Sequence, residues 1–448
     1  MNVFELRDRL VRDYAEYTRS FINVRDPRIR ARIEEDLEFG LLWPDPIVQL
    51  NPAFEPGATI DGLVADHVLH PQCARIFRRG KSAADPEGQP LRLHRHQEEA
   101  IRTARTGANY VLTTGTGSGK SLTYIVPIVD HVLRSGSGRG IQAIVVYPMN
   151  ALANSQLGEL EKFLCLGCPE GRPPVTFARY TGQEKDEERE RITATPPDIL
   201  LTNYAMLELI LTRPYERRLV QAARGLRFLV LDELHTYRGR QGADVALLAR
   251  RLRQATEARE LQSVGTSATL AGAGTLAEQK QEVARVASLL FGAEVEPEHV
   301  IGETLRRATR PADLGDPAFQ EALRARLRHS AQPAPRGDPE AFAEDPLASW
   351  LETTLGLAEE PGSGRLVRAD PLPITGENGV AARLARLVGL PEERCLDAIR
   401  DTLLAGYATE NPDTGFPVFA FRLHQFFSRG ETAYASLEPE EARYVTTR

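Results

Sequence analysis

Along the 448-residue chain the spacing of apolar and polar positions changes character twice. From Phe4 to Glu38, apolar residues recur at helical spacing (Leu6, Leu10, Tyr14, Phe21) among many charges, which predicts one or two surface helices. Pro44, Pro46, Pro52 and Pro56 then interrupt the chain. From Leu91 to about Ala271, short apolar runs alternate with helical stretches. The runs are Tyr110–Thr113, Ala143–Tyr147, Val175–Tyr180, Ile199–Thr202, Phe228–Leu231 and Leu261–Val264. Most are apolar on consecutive residues, the pattern of parallel strands buried on both faces. The gaps leave room for a crossover helix between neighbours. The expected fold is α/β: an open, mostly parallel sheet with helices on both faces, plus mainly helical extensions.

A helix is expected over Leu276–Leu290. Two segments rich in Pro, Gly, Ala and charge, AQPAPRGDPEAFAEDP and EEPGSGRLVRADPLP, read as linkers or exposed loops. A helical pair spans Val380–Gly406, and VFAFRLHQFF has a strand-like pattern. Three regions follow: 1–90, mainly helical; 91–300, the α/β lobe; and 301–448, mainly helical with a short β element. The length itself suggests two or three domains.

Composition changes this picture little. The chain is 42% hydrophobic and 26% charged, as soluble globular proteins are. No stretch approaches the roughly 20 apolar residues of a membrane helix. The N-terminus mixes acids and bases without an apolar run, unlike a secretory signal. Both features point to a cytoplasmic protein without a membrane partner. Four cysteines suggest no disulfide framework; Cys165 and Cys168 form a CxxC, but no second pair completes a zinc site. The net charge of −7 does not advertise nucleic-acid binding. Nor does it exclude it, because a local basic groove suffices for phosphate contacts.

Candidate chemistry begins at residues 110–121, YVLTTGTGSGKS. An apolar run leads into a loop holding Gly115, Gly117 and Gly119, then Lys120 and Ser121, and a helix is expected over Leu122–Arg134. That strand–loop–helix setting makes the glycines a phosphate site rather than a plain glycine-rich turn. Glycines let successive amides point inward at phosphate oxygens, and the helix N-terminus adds partial positive charge. Residues Thr116, Gly117, Ser118, Gly119, Lys120 and Ser121 are the candidate cradle for ATP. Lys120 would reach the β- and γ-phosphates and the Ser121 hydroxyl would ligate Mg²⁺. Thr114 stands where the general pattern has its first glycine.

Residues 226–235, LRFLVLDELH, end an apolar run in two carboxylates, 112 residues after Lys120. In open α/β sheets the carboxyl ends of strands form the ligand crevice. Asp232 would hold the metal through water, and Glu233 would orient and deprotonate an attacking water. The plainer alternative is a solvated strand end. Together, TGSGKS, DELH and GTSATL (Gly265–Leu270) resemble the superfamily-2 DEAD/DEAH-box helicases over roughly residues 91–271.

The resemblance implies a RecA-like first lobe binding ATP and Mg²⁺ and one strand of nucleic acid, with Lys120, Asp232 and Glu233 catalytic. Gln97 in LHRHQEEAI resembles the adenine-reading glutamine. YPMNALANSQ resembles a strand-contacting segment, implicating Pro148, Asn150 and Gln156; Met149 and Asn150 depart from its usual residues. YTG and PPDILLTNYAML implicate Thr181, Gly182, Thr202 and Asn203, with Thr202 and Asn203 able to bond phosphates directly. Ser267 and Thr269 resemble the segment coupling hydrolysis to strand movement, and His235 matches the fourth position of the acidic box, where Leu234 replaces the usual Ala. Outside such motifs His96 and His235 would read as ordinary polar residues. Tyr237, Arg238 and Arg240 fit a solvated turn as well as a nucleic-acid contact. The Arg250–Arg253 cluster fits a polar helix face, and the aromatics of VFAFRLHQFF fit a core better than a base-stacking platform.

A second motor lobe, with its Q-x-x-G-R-x-x-R-type segment, is not found after Leu270, so the chain is expected to be the N-terminal part of a larger helicase. DELHTYRGRQGADVALLARRLR and FAFRLHQFFSRGETAYASLE resemble a subgroup of large prokaryotic helicases with downstream cysteine clusters, working in DNA repair or phage defence. The function read from the sequence is the first lobe of an ATP-dependent helicase or translocase, acting on DNA ahead of RNA. Its expected partners are a second lobe of the same protein and other repair or defence proteins. The alternative is a nucleotide-gated nucleic-acid-binding module without turnover. A small-molecule kinase using the same loop is disfavoured by the DELH and SAT segments.

Overall fold

The computed structural model describes residues 2–21, 25–38, 40–115, 117–167, 172–268, 274–328, 333–360, 364–412, 414–428, 434–435 and 445–446. Thr116, Cys168, Thr269 and Leu270 therefore lie outside the described residues. The chain divides into two compact units, Phe54–Thr304 and Met1–Ala53 with Leu305–Arg448.

The unit Phe54–Thr304 is built on seven strands: β1 (Tyr110–Thr113), β2 (Ala143–Tyr147), β3 (Phe177–Arg179), β4 (Ile199–Asn203), β5 (Phe228–Leu231), β6 (Gln262–Ser267) and β7 (Val300–Gly302). They lie in the order β7-β1-β6-β5-β2-β4-β3, and every pairing is parallel. The central strands β1, β2, β5 and β6 are buried along their whole length, which is why β1, β2 and β5 run apolar without alternation; β6, QSVGTS, is equally buried but mostly polar. Successive residues still serve opposite faces. Tyr110 and Leu112 join a core with Ile101, Ile125, Val129 and Leu160. Val111 joins another with Leu207, Leu248 and Leu290. Helices Arg95–Thr106, Leu122–Ser135 and Asn150–Leu164 thus cover one face; Tyr204–Thr212, Gly239–Ala255 and Leu276–Phe291 cover the other. This is the open parallel sheet with helices on both faces that was expected, with β7 as an unforeseen seventh strand.

The packing draws the boundaries differently from the three expected regions. Residues 54–90 belong to the sheet unit: Pro56–Thr59 pairs with Arg92–His94, and Ile60, Leu63, Leu69, Cys73 and Phe77 are buried in the same core as Ile101. Residues 1–53 belong with the C-terminal segment instead. There Ile47–Asn51 is the middle strand of a small antiparallel sheet, flanked by Leu372–Pro373 and Ala420–His424. Val48, Leu50, Trp350, Leu384, Ile399 and Phe419 share its core, with the helices Val380–Val388 and Glu392–Ala408. The front of VFAFRLHQFF is accordingly core and strand, whereas Phe426 and Phe427 are exposed. Among the described residues no helix is long and apolar enough to cross a membrane.

Candidate functional site

The sheet order places the candidate residues in two adjoining groups at the carboxyl ends of the strands. The phosphate loop follows β1, the coupling segment ends β6, and the acidic box follows β5; these three strands are neighbours. The strand-contacting segments follow β2, β4 and β3, the other three neighbours.

In the phosphate loop, Gly117 and Gly119 have φ of 84° and 69°, in the left-handed region that favours glycine. A Cβ on Gly119 would also collide with the Gln97 amide. The loop is tethered on several sides. Thr114 N donates to Ser267 O at 3.2 Å, and the Thr114 and Ser118 hydroxyls lie 2.6 Å apart. Gln97 Nε2 donates to Gly119 O at 2.9 Å and Ser118 O at 3.3 Å, while its Oε1 accepts from His94 N at 2.8 Å. His96 Nε2 lies 3.0 Å from Ser118 O. Gln97 is buried with both ends of its amide engaged, so its visible work is to brace the loop and cap the helix Arg95–Thr106. An adenine would have to share or displace those bonds.

Opposite the loop, Lys120 Nζ lies 3.0 Å from Glu233 Oε1. Glu233 Oε2 is buried without a hydrogen bond; His235 Nδ1 stands 3.2 Å away, outside hydrogen-bond geometry. Glu233 also has a φ of 54°, a conformation costing a non-glycine residue about 1–3 kcal/mol. A buried unsatisfied carboxylate oxygen on a strained residue marks a place where stability is given up for chemistry. Thr266 ties the box together: its hydroxyl donates to Asp232 Oδ1 at 2.5 Å and accepts from Glu233 N at 3.0 Å. Burial pushes the Asp232 carboxyl above its ordinary range, with Glu233 adding to that and the Thr266 hydrogen bond and Lys120 opposing it. His235 Nδ1 lies 3.4 Å from Ser267 Oγ, so the two described coupling residues meet. Thr266 was not singled out from the sequence, although it lies inside the GTSATL segment.

These residues fit Mg²⁺ and a nucleoside triphosphate. Among the described residues no three metal-ligating side chains cluster. Mg²⁺ with nucleotides needs only one or two protein oxygens beside phosphate and water, and Ser121 and Asp232 could supply them.

The second group is more internally committed than expected. Thr202 is fully buried and donates to Tyr180 O at 2.7 Å, which corrects the expectation that its hydroxyl meets phosphate directly. Asn203 caps the helix Tyr204–Thr212 through Met206 N, and its Nδ2 donates to Asn150 Oδ1 at 2.7 Å and Thr181 O at 3.1 Å. Glu184 gathers the Thr181 and Gly182 amides at 2.8 and 2.9 Å and pairs with Arg179 at 2.7 Å. Burial raises the Glu184 carboxyl, but the amides of Thr181 and of Glu184 itself, with Arg179 and the Thr181 hydroxyl, outweigh it and hold it below the ordinary range. Asn150, Thr181 and Asn203 are thus brought together as a scaffold. Gly182 is exposed, Pro148 is half-buried, and Gln156 Oε1 is buried without a hydrogen bond.

A model of the DEAD/DEAH box helicase family matches residues 94–276, taking in the phosphate loop, the acidic box and all the strand-end segments above. This segment is thus similar to DEAD/DEAH box helicase domains. Among relatives, the Druantia protein DruE of Escherichia coli (strain UMEA 4076-1) is 25% identical, over 88% of this chain and 28% of its own. The uncharacterised ATP-dependent helicase YprA of Bacillus subtilis (strain 168) is 30% identical, over 49% of this chain and 29% of its own. The chain therefore spans under a third of the length of these relatives. The crystal structure of the helicase MrfA bound to DNA aligns with a TM-score of 0.43 at 22% identity, over 57% of this chain and 30% of that one.

Proposed function

We propose that the helicase domain is the ATP-binding first motor lobe of a nucleic-acid helicase or translocase, acting on DNA ahead of RNA, in a repair or phage-defence setting. The observation that carries this reading is the Lys120–Glu233 pair at 3.0 Å, with the second Glu233 oxygen left without a hydrogen bond. Lys120 would exchange Glu233 for the β- and γ-phosphates, a charge-assisted contact that the glycine cradle aims. Glu233, released from the lysine, becomes free to orient water and take its proton. Asp232 and Ser121 would hold Mg²⁺, which when bound neutralises developing charge on the phosphates. Thr266 holds Asp232 and the Glu233 amide in register, and Ser267 joins His235 to the loop through Thr114 N. Hydrolysis at one group of strand ends thus has a mechanical path toward its neighbours, where Pro148, Asn150, Gln156, Thr181, Gly182 and Asn203 would meet the strand.

Completion of the ATP site would fall to a second lobe of the same protein, whose arginines can be worth about 10³–10⁵ in rate. Residues 1–448 alone should therefore bind nucleotide and turn it over weakly or not at all. The test measures ATP hydrolysis by the full-length parent and by this chain, each with and without Lys120→Ala, using single- and double-stranded DNA and RNA. Activity only in the unsubstituted parent supports the motor. Inactivity of the parent too would favour a nucleotide-gated binding module. Robust nucleic-acid-stimulated turnover by this chain alone would contradict the need for a second lobe.

A further inference from the structure

Glu303 lies outside every motif, yet it touches the phosphate loop. It follows β7, whose register against β1 (Val300↔Val111, Ile301↔Leu112, Gly302↔Thr113) brings the next residue level with Thr114. There Glu303 Oε2 accepts from Gly115 N at 3.0 Å. The strand beneath it is fixed on both sides: Thr113 Oγ1 donates to Ile301 O at 3.2 Å, and Glu55 N donates to Thr304 O at 2.9 Å. The carboxylate is thus held on a rigid sheet edge.

We propose that Glu303 is a positioning residue for nucleotide binding: it anchors the entry arm of the phosphate loop, as Gln97 and His96 anchor the exit arm. The proposal rests on the nucleotide reading of the loop. A loop that turns successive amides toward phosphate must have its remaining polar groups held elsewhere, or it relaxes into a different turn. The exit arm is held through the carbonyls of Ser118 and Gly119. The entry arm is held through Thr114 N on Ser267 and Gly115 N on Glu303. Thr114 stands where the general pattern has glycine, and its hydroxyl bridges to Ser118. That bridge keeps its direction only while the two backbone anchors beside it hold.

A carboxylate suits the task because it is a stronger acceptor for an amide than a neutral oxygen. A mere surface cap would make the same contact without consequence for nucleotide, and this distinction can be measured. Glu303→Gln retains an acceptor at the same reach, whereas Glu303→Ala removes it.

The experiment titrates this chain with ADP and with a non-hydrolysable ATP analogue, each with Mg²⁺. It compares the unsubstituted protein, Glu303→Ala, Glu303→Gln and Lys120→Ala, and records a thermal melt of each without nucleotide. The expected result is a Kd raised about tenfold in Glu303→Ala, equivalent to loss of one well-placed hydrogen bond. Glu303→Gln should stay within about threefold, and both melts should match the unsubstituted chain within a few degrees. Unchanged affinity in Glu303→Ala, with Lys120→Ala strongly weakened, would overturn the role of Glu303 and leave the nucleotide site standing. A Glu303→Ala protein that melts well below the unsubstituted chain would show a structural role and overturn the proposal. Failure of the unsubstituted chain to bind either nucleotide, or undiminished binding by Lys120→Ala, would overturn the nucleotide reading and this inference with it.

Discussion

Both units use buried carboxylates as scaffolds, and Glu233 of the sheet unit stands apart from them. In the unit formed by Met1–Ala53 and Leu305–Arg448, Glu352 accepts from Ala308 N, Thr309 N and Thr309 Oγ1 at 2.7, 2.9 and 2.6 Å. Asp345 caps the helix Pro346–Leu351 and pairs with Arg326 at 2.9 Å. The sheet unit has scaffolding carboxylates of the same kind: Asp198 accepts from Ser137 Oγ, Gly138 N, Thr176 N and Thr176 Oγ1 at 2.6 to 2.9 Å. Glu233 differs from all of these. One of its oxygens meets a lysine that phosphate could draw away, the other has no hydrogen bond, and the backbone beneath it is strained. A saturated carboxylate holds a fold together, while one left short of partners at the end of a central strand is positioned to act on something that arrives later.

Substitutions that erase or exaggerate this contrast test it. The largest effect belongs to Glu233→Gln, which should lower ATP turnover by the full-length parent by roughly 10²–10⁴-fold, the usual worth of a general base. Nucleotide affinity should persist, and steady-state turnover beside equilibrium titration reads both. Next comes Gly119→Ala, which meets the Gln97 amide and an unfavourable φ together. It should weaken nucleotide binding by on the order of tenfold or more, at a strain cost of about 1–3 kcal/mol. Glu352→Ala should do the reverse, lowering unfolding free energy by roughly 3 kcal/mol through the amides it leaves unpaired. Nucleotide affinity of the folded protein should not change; a loss comparable to that of Gly119→Ala would break the contrast.

The smallest effect is a pH dependence. Burial raises the Asp232 carboxyl, so the folded chain holds that proton to higher pH than the unfolded chain does. The associated stability is present below the ordinary carboxylate range and is lost as pH rises through the raised value. A bound cation favours the ionised form. Mg²⁺-dependent nucleotide affinity should therefore fall severalfold as pH drops from about 7 toward the carboxylate range. Thr266→Val, which removes the hydrogen bond opposing the shift, should move that fall to higher pH. An unmoved profile would mean that Asp232 does not govern it.

The same contrast explains what could be read from the chain beforehand. Strands β1, β2 and β5 declare themselves because burial on both faces favours consecutive apolar residues, and motif spacing ties Lys120 to Asp232 and Glu233. Strand β7 is only Val300–Gly302, too short to stand out, so Glu303 carried no signal. Residues 54–90 contribute Ile60, Leu63 and Phe77 to the main core through short elements split by turns, a pattern that resembles an appendage. The small sheet of the other unit joins residues near 50, 372 and 420, and no local pattern reveals pairing over such separations. Motif residue types did not reveal side-chain direction either. Thr202 lies in a motif yet turns inward to Tyr180 O, and Gln97, which resembles an adenine-reading residue, bonds the carbonyl of Gly119.

Calorimetric titration of this chain with a non-hydrolysable ATP analogue, with and without Mg²⁺ and with and without Lys120→Ala, tests the central claim most directly. One Mg²⁺-dependent site, weakened on the order of a hundredfold by the substitution as two charge-assisted contacts are lost, is the predicted result. Absence of binding, or equal binding by Lys120→Ala, would contradict it.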